Sequence, residues 1–265
     1  MDNNKKTRII AVANQKGGVG KTTTAINLSI GLTQKGYKVL AIDLDSQAHL
    51  AIGLGIEITD NQHTLYNLIN DIMNEKLENI HDFILETKVK NLYLLPSDIN
   101  LAATELYLQN LTIGKEYILK KAIELLNDEF DFIILDCPPA LGNFTVNALT
   151  AANEVIIPMN AAIFDVDGSK KLVKTIFQVK EICNDNLSIL GILLTKFDNR
   201  TVHAKEVLDG LKELYGDNIK IFDSKIPQSI KVAESNFKGI SIFEHDPKGK
   251  VAIAYKGLVD EVLSI

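Results

Sequence analysis

Short runs of apolar residues alternate along this chain with longer amphipathic segments. The apolar runs have the length of strands, and several lack polar alternation, which is typical of strands covered on both faces. The segments between them space their apolar residues as helices do. The pattern predicts an α/β fold: a single domain with a mostly parallel, twisted sheet flanked by helices on both faces.

The predicted elements can be given by residue. The strands are Arg8 to Asn14, Lys38 to Asp43, Asn91 to Leu95, Phe132 to Asp136, Glu154 to Met159, Ser188 to Leu194 and Asn218 to Phe222. The helices are Lys21 to Lys35, Leu65 to Met73, Glu116 to Asn127, Phe144 to Ala151, Gly168 to Cys183, Ala204 to Tyr215 and Lys250 to Leu263. Because open parallel sheets bind ligands beyond the carboxyl ends of their strands, polar motifs at those ends are the candidate site.

Composition narrows the class of protein. The chain has 265 residues, 46% of them hydrophobic and 23% charged, as in a soluble globular protein. It has no Pro/Gly/Ser-rich linker or fixed-period repeat, so we expect one domain over 1–265. Cys137 and Cys183 lack metal-ligand spacing and fit a reducing cytoplasm. A net charge of -6 argues against a protein that coats nucleic acid with its whole surface.

A glycine-rich loop separates the first predicted strand from the first helix. Small residues let consecutive backbone N–H groups converge on phosphate oxygens, and the start of a helix adds a positive dipole end. In this pattern Lys21 reaches the β- and γ-phosphates and the Thr22 hydroxyl binds Mg²⁺. The predicted nucleotide-binding residues of the loop are Gly17, Gly18, Val19, Gly20, Lys21, Thr22 and Thr23.

Carboxylates end two of the predicted strands. Asp43 and Asp45 close the second strand, and Asp136 closes the apolar run that begins at Phe132. A carboxylate in the position of Asp136 can hold a Mg²⁺-bound water, because Mg²⁺ keeps several waters and takes few protein ligands. Acidic residues are common at strand ends, so neither motif by itself identifies a metal or nucleotide site.

The loop also departs from the usual phosphate-loop pattern. Gln15 stands where the first glycine is usual, and Lys16 follows it. The form KGGxGKT, together with Asp43 and Asp45 in DxDxQ, resembles the ParA/Soj/MinD family of deviant Walker ATPases from the first strand to the last helix. The resemblance implies ATP and Mg²⁺ as cofactors and a homodimer with ATP between its subunits. Lys16 would contact the partner's nucleotide, Asp45 would position the attacking water, and Asp43 would support the metal's water shell.

Two readings of the base-binding side remain open. Thr195-Lys196-Phe197-Asp198 has the TKxD form with which related GTPases select guanine. The resemblance instead matches Asp198-Asn199-Arg200-Thr201 to the family's DxRT turn and Ile226-Pro227 to its adenine-side segment. It therefore favours ATP, with Asp198 and Pro227 near the base.

The same resemblance indicates a DNA-binding face. Arg200 and Lys231 keep two of the family's basic positions, and Lys248 and Lys250 could add non-specific phosphate contacts. Gln228 replaces a usual arginine, so we expect weaker binding than in the family at large. The alternative is a set of scattered, solvated lysines.

The resemblance therefore predicts a switch ATPase of plasmid or chromosome partition. It would be cytoplasmic and nucleoid-associated, and stimulated by a ParB-like centromere-binding adaptor. We expect no N-terminal helix-turn-helix domain, because about a dozen residues precede the loop, and no membrane binding, because the last helix lacks a basic amphipathic face. A MinD-like positioning ATPase and a related GTPase remain the alternatives.

Overall fold

One sheet organises the protein. A computed structural model describes residues 6–59, 61–126, 128–163, 166–216 and 218–265. The strands are β1 (Arg8–Val12), β2 (Val39–Asp43), β3 (Leu85–Glu86), β4 (Leu92–Leu95), β5 (Phe132–Asp136), β6 (Glu154–Asn160) and β7 (Ser188–Thr195). Their order across the sheet is β3-β4-β2-β5-β1-β6-β7. Neighbouring strands are parallel except β3, which runs antiparallel to β4. The predicted mostly parallel α/β fold is confirmed.

Helices connect the strands. They are α1 (Lys21–Gln34), α2 (His49–Gly53), α3 (Leu65–Met73), α4 (Leu101–Asn110), α5 (Ile118–Glu124), α6 (Asn143–Ala151), α7 (Val166–Ile182), α8 (Val202–Tyr215), α9 (Ile230–Phe237), α10 (Ile242–His245) and α11 (Lys250–Leu263). Short 3₁₀ turns lie at Ile80–Phe83, Lys115–Tyr117 and Ala161–Ile163. In the described ranges, no helix is both long and apolar enough to cross a bilayer.

The sheet separates two apolar cores. Successive side chains of a strand point to opposite faces, so Ile133 and Leu135 of β5 join one core while Phe132 and Ile134 join the other. Helices α3 to α8 cover the first face, and α1, α2, α10 and α11 cover the second. Burial on both faces explains why these strands show no polar alternation in the sequence.

The predicted strand over Asn218 to Phe222 is wrong. This segment touches β7 through isolated bridges, at Ile221 with Ile192 and at Ile226 with Thr195. Between the bridges the backbone N–H groups of residues 223 and 224 donate to the Glu261 carboxylate at 2.8 and 2.7 Å. The Glu261 carboxylate thus interrupts the pairing with β7 after Phe222. At the start of the predicted strand, the N–H groups of Asn218 and Ile219 instead donate to the Tyr215 carbonyl at the end of α8, at 2.8 and 2.7 Å.

Several boundaries also differ from the predictions. The helix predicted over Glu116 to Asn127 divides into the 3₁₀ turn and α5, and Asn127 lies outside the described residues. The sequence patterns did not predict β3, α2, α4, α9 or α10. In α4 the reason is clear, because Leu106 and Tyr107 are 64% and 56% exposed and blur the apolar stripe.

Two glycines, one just after α2 and one just after α9, allow the ends of these helices to approach closely. Gly55, two residues beyond α2, packs against Gly239, two residues beyond α9, and both have positive φ angles of 68° and 63°. A Cβ on Gly239 would overlap the Cα of Gly55. The contact therefore depends on both side chains being absent.

We predict that Gly239→Ala lowers the free energy of unfolding by about 2–4 kcal/mol, because backbone atoms must move apart. Gly36→Ala is the matched control: its φ is +94° and an added Cβ would meet open space, so we expect a cost of about 1 kcal/mol. Urea titration of both variants tests this. Equal losses would mean that the close approach contributes nothing beyond backbone strain.

Candidate nucleotide-binding site

The loop between β1 and α1 folds around a lysine. Gly20 precedes α1 with a φ of 87°, a left-handed conformation that glycine adopts without strain. The Lys21 ammonium turns back and donates to the carbonyl oxygen of Lys16 at 2.9 Å. The backbone N–H of Lys16 donates to the Asn14 side chain at 3.0 Å. The loop is thus closed on itself, with Lys21 only 7% exposed.

Residues from the neighbouring strands anchor this loop. The Asn14 side-chain amide donates to the Pro158 carbonyl of β6 at 2.8 Å. The buried Thr195 hydroxyl, at the end of β7, is 2.8 Å from the Val19 carbonyl and 3.2 Å from the Met159 carbonyl. In the sequence Thr195 stands out only as part of a base-recognition pattern. The structure assigns it to holding the phosphate loop.

Two buried carboxylates lie beneath the loop. Asp43 and Asp136 are paired in register at the ends of β2 and β5 and are 0% and 1% exposed. The two Asp43 oxygens accept the backbone N–H groups of Asp45 and Leu50, each at 3.0 Å. Among the described residues, the Asp136 oxygens have no hydrogen-bond partner of ordinary geometry. Asp43 is therefore satisfied by the backbone, whereas Asp136 is not.

Burial shifts the protonation of these groups. It raises the pKa of Asp136 to about 7, while the Thr22 hydroxyl and the Lys21 ammonium oppose the shift. The pKa of Asp43 rises well above its usual range, first through burial and then through repulsion by Asp136. Burial lowers the pKa of Lys21 against the attraction of Asp136. A bound cation would stabilise the ionised forms of Asp43 and Asp136, and a bound anion would stabilise the charged form of Lys21.

A cavity of about 830 Å³ opens above the loop. Its lining includes many of the predicted site residues, and these are Gly17, Gly18, Gly20, Lys21, Thr22, Thr23, Asp45 and Pro227. It also includes Pro139, Val232 and Ala233, whose segments the resemblance places near the γ-phosphate and the adenine side, and Thr195 and residues of α2, which the sequence patterns did not assign to the nucleotide. Within the described ranges Lys16, Val19, Asp43, Asp136 and Asp198 are not part of the lining.

Asp198 is engaged elsewhere. Arg200 donates to it through Nε at 2.9 Å and through Nη2 at 2.7 Å, and the Arg200 backbone N–H adds a third bond at 3.1 Å. These bonds hold the pKa of Asp198 at about 2. The arrangement gives no support to Asp198 as a guanine-reading residue, and its place beside the base stays a prediction.

The structure brings together some of the predicted DNA-binding residues and not others. The charge of Lys250 reaches Asp198 and helps to lower its pKa, so Lys250 and Arg200 share one surface region. Lys248 is exposed in the turn before α11. Lys231 is paired within α9: its ammonium is 3.2 Å from the Glu234 carboxylate, which also lies 2.9 Å from the His245 ring.

Comparisons with known proteins agree with this geometry. A family model described as an AAA domain matches residues 7–189. The sporulation initiation inhibitor protein Soj of Bacillus subtilis (strain 168) is 38% identical over 255 residues, with 96% of this chain and 98% of that protein covered. The chromosome partitioning protein ParA of Caulobacter vibrioides (strain NA1000 / CB15N) is 37% identical, with 97% and 94% covered. This chain belongs to the ParA/Soj family of ATPases.

A solved structure adds to the comparison for this ParA/Soj family member. The cobyrinic acid a,c-diamide synthase of Mycobacterium smegmatis, with bound ADP and magnesium, is 35% identical and superposes with a TM-score of 0.82, covering 97% of this chain and 94% of that one. ADP and magnesium are the kinds of ligand that the phosphate loop and the strand-end carboxylates of this chain predict.

The residues of this ParA/Soj ATPase fit a magnesium ion. Asp136 offers two buried oxygens that, among the residues described, have no hydrogen-bond partner of ordinary geometry, and the Thr22 hydroxyl is close enough to lower its pKa. Oxygen donors of this kind suit Mg²⁺, which retains waters and takes few protein ligands. Asp43 fits less directly, because both of its oxygens already accept backbone N–H groups.

We predict that Asp136→Asn stabilises the protein in the absence of nucleotide and metal, and that the gain depends on pH. The raised pKa means that wild type loses stability as pH rises from about 3.8, the unfolded value, to about 7, the folded value. The asparagine variant lacks this loss. Thermal unfolding in EDTA should show similar stability near pH 4, a growing difference up to pH 7 and a constant one above. A difference that does not change with pH would contradict the raised pKa.

Proposed function

We propose that this chain is a partition ATPase: ATP and Mg²⁺ bind, two subunits close around the nucleotides, and the dimer binds DNA without sequence preference. Hydrolysis then releases the DNA. The observation that carries the proposal is the doubled-lysine loop, with Lys21 folded over the buried Asp136 and the cavity wall formed in part by Asp45. Membership of the ParA/Soj family supports the same role.

The loop and Lys21 would bind the phosphates. The N–H groups at the start of α1 point toward the cavity end of the helix and, with its dipole, favour an anion there. Lys21 would leave the Lys16 carbonyl for the β- and γ-phosphates, exchanging a neutral acceptor for a charged one. Thr23 is joined to α9 by a 3.3 Å bond from Asn236, which would place the base-side helix beside the phosphate loop.

Thr22 and Asp136 would hold Mg²⁺, the Asp136 carboxylate through metal-bound water. The ion would supply charge neutralisation at the phosphates. Asp45 would orient the attacking water: its Oδ1 accepts the Gln47 N–H at 3.1 Å, and its own N–H donates to Asp43, so the carboxylate is fixed at the cavity wall. Asp43 would act indirectly, by holding Asp45 and the start of α2.

Lys16 would act between subunits. Both of its backbone groups are bonded inside the loop, to Asn14 and to Lys21, so the base of its side chain is fixed beside the phosphate site. A long, cationic side chain from this position could neutralise charge on the partner subunit's nucleotide during phosphoryl transfer. The ATP-bound state would then be a homodimer, and hydrolysis would remove the charge that joins its halves.

We predict that Asp45→Ala lowers the rate of ATP hydrolysis at least about a hundredfold, because the attacking water loses its acceptor. Binding of a fluorescent ATP analogue should change by less than about threefold, because the phosphate loop is untouched. Asp45→Asn is the matched control, since its amide oxygen can still accept the Gln47 N–H. An equal loss in both variants assigns the effect to the carboxylate, and a normal rate in Asp45→Ala refutes the assignment.

The DNA-binding face would centre on Arg200 and Lys250. Lys248 and Lys231 would extend it, and a ParB-like adaptor would stimulate hydrolysis and so release the protein from the nucleoid. The Arg200 guanidinium is paired with Asp198, although 86% of its side chain is exposed. DNA phosphate would have to compete with that carboxylate. Because this ion pair is exposed and therefore weak, removing the Asp198 charge should change the affinity for DNA only modestly.

We predict that Arg200→Ala weakens ATP-dependent binding to DNA of arbitrary sequence about three- to tenfold. The slope of log affinity against log salt should fall by about one, because one cation fewer neutralises a phosphate. Asp198→Asn should strengthen binding. ATP-dependent dimerisation, followed by light scattering, should be unchanged in Arg200→Ala. Lys90→Ala is the control, because it removes a charge at the amino end of β4, on the opposite edge of the sheet.

Two results would overturn parts of this proposal. Absence of ATP-dependent DNA binding at low salt would remove the partition role, and binding to anionic liposomes in its place would favour a MinD-like positioning ATPase. Equal loss of dimerisation and DNA binding in Arg200→Ala would make Arg200 a structural residue.

A further inference from the structure

Helix α6 begins without a cap from its own chain segment. The residue before it is Gly142, which has no side chain to accept the first backbone N–H groups. The acceptor comes instead from Glu105 in α4. Its Oε1 accepts the Asn143 N–H at 2.7 Å, and its Oε2 is 3.3 Å from the Phe144 nitrogen. A carboxylate at this position also meets the positive end of the helix dipole.

The surroundings hold Glu105 in place. The Asn143 side-chain amide donates back to the Glu105 carbonyl at 3.3 Å, so the two residues are joined twice. A Cβ on Gly142 would lie 2.5 Å from Glu105 Oε1, which means that the glycine leaves room for the carboxylate. Leu101 and Leu108 bury α4 on either side of this contact.

The capped end of α6 is also the end of a loop that reaches the nucleotide cavity. Residues 137–142 connect β5 to α6, and Pro139 in this loop lines the cavity. The loop is fixed at its first residue, where the Cys137 N–H donates to the Val12 carbonyl at 3.2 Å. At its other end it depends on α6, whose Thr145 hydroxyl donates to the Ala140 carbonyl at 2.5 Å.

We propose that Glu105 is a positioning residue for ATP hydrolysis: by capping α6 it fixes the loop 137–142 against the phosphate loop. Glu105 belongs to a different helix and acts through the N–H groups of Asn143 and Phe144, without contact to the nucleotide. Loss of the cap lets the first turn of α6 fray and the cavity side of the loop move. The inference rests on the proposed ATPase activity of the same site.

The test compares steady-state ATP hydrolysis of wild type, Glu105→Ala and Glu105→Gln. Loss of the cap should lower kcat about five- to tenfold in the alanine variant. The KM for ATP and the affinity for a fluorescent ADP analogue should stay within about twofold, because the phosphate loop keeps its own anchors. The glutamine variant should be intermediate, since its amide oxygen accepts a hydrogen bond but carries no charge.

Ser241→Ala provides the matched control. Ser241 caps α10 by accepting the Glu244 N–H at 3.2 Å, and α10 packs on the other face of the sheet. Its loss costs a helix cap of similar kind without touching the loop, so kcat should stay within about twofold of wild type. If Ser241→Ala and the Glu105 variants lose activity equally, the effect is general destabilisation and the proposal is wrong.

A loop reporter separates positioning from stability. The chain has no tryptophan, so Ala140→Trp places a single fluorophore in the loop. Adding Glu105→Ala to that background should lower its fluorescence anisotropy and raise quenching by acrylamide. Unchanged loop signals, or an unchanged kcat, overturn the inference even if Glu105→Ala is less stable. If the alanine variant does not fold, Glu105→Gln decides by the same two measurements.

The two proposals fail in different ways. If wild type does not hydrolyse ATP, the proposed function fails first. If wild type hydrolyses ATP and the Glu105 variants match it in kcat, the function stands and the positioning role is removed.

Discussion

The rest of the site depends on two carboxyl groups buried side by side at the ends of β2 and β5. Burial disfavours the ionisation of Asp43 and Asp136 and raises the pKa of both, and the charge of Asp136 raises that of Asp43 further. The protein compensates Asp43 with two backbone N–H groups, and these bonds shape the turn that carries Asp45 and starts α2. The charge of Asp136 is instead stabilised by Thr22 and Lys21, and would be stabilised further by a bound cation. One carboxylate thus organises the backbone, and the other stays available for chemistry.

The phosphate loop is held from outside its own segment. Thr195 on β7 and Asn14, through its bond to β6, fix two points of the loop, and the Lys21 ammonium closes it. The loop after β5 follows the same principle, with Glu105 of α4 supplying the cap that Gly142 lacks. The segments that line the cavity here are short, so they cannot bury enough of their own surface to hold a conformation. Distant side chains supply the missing constraints.

The base-side turn shows two expected roles competing for one pair of residues. Asp198 would face a base and Arg200 would face DNA, yet the two side chains are hydrogen-bonded to each other. Lys231 is likewise paired with Glu234. Because both pairs are exposed, each contributes little to stability and can exchange its partner for a phosphate. If this surface binds DNA as proposed, the binding should be weak and sensitive to salt.

The order of apolar runs and helical segments determined the fold class, because strands buried on both faces and helices with one apolar stripe have different periods. The spacing in Lys16 to Thr22 likewise determined the phosphate loop, since that geometry is made by consecutive residues. The pairing with β7 stops after Phe222 because Glu261 of α11 accepts the next two backbone N–H groups, and Thr195 and Glu105 were missed as contacts that hold loops of the site. Such contacts join residues far apart in the chain, so only the tertiary structure decided them: local patterns specify what a segment can form, and packing specifies which distant group completes it.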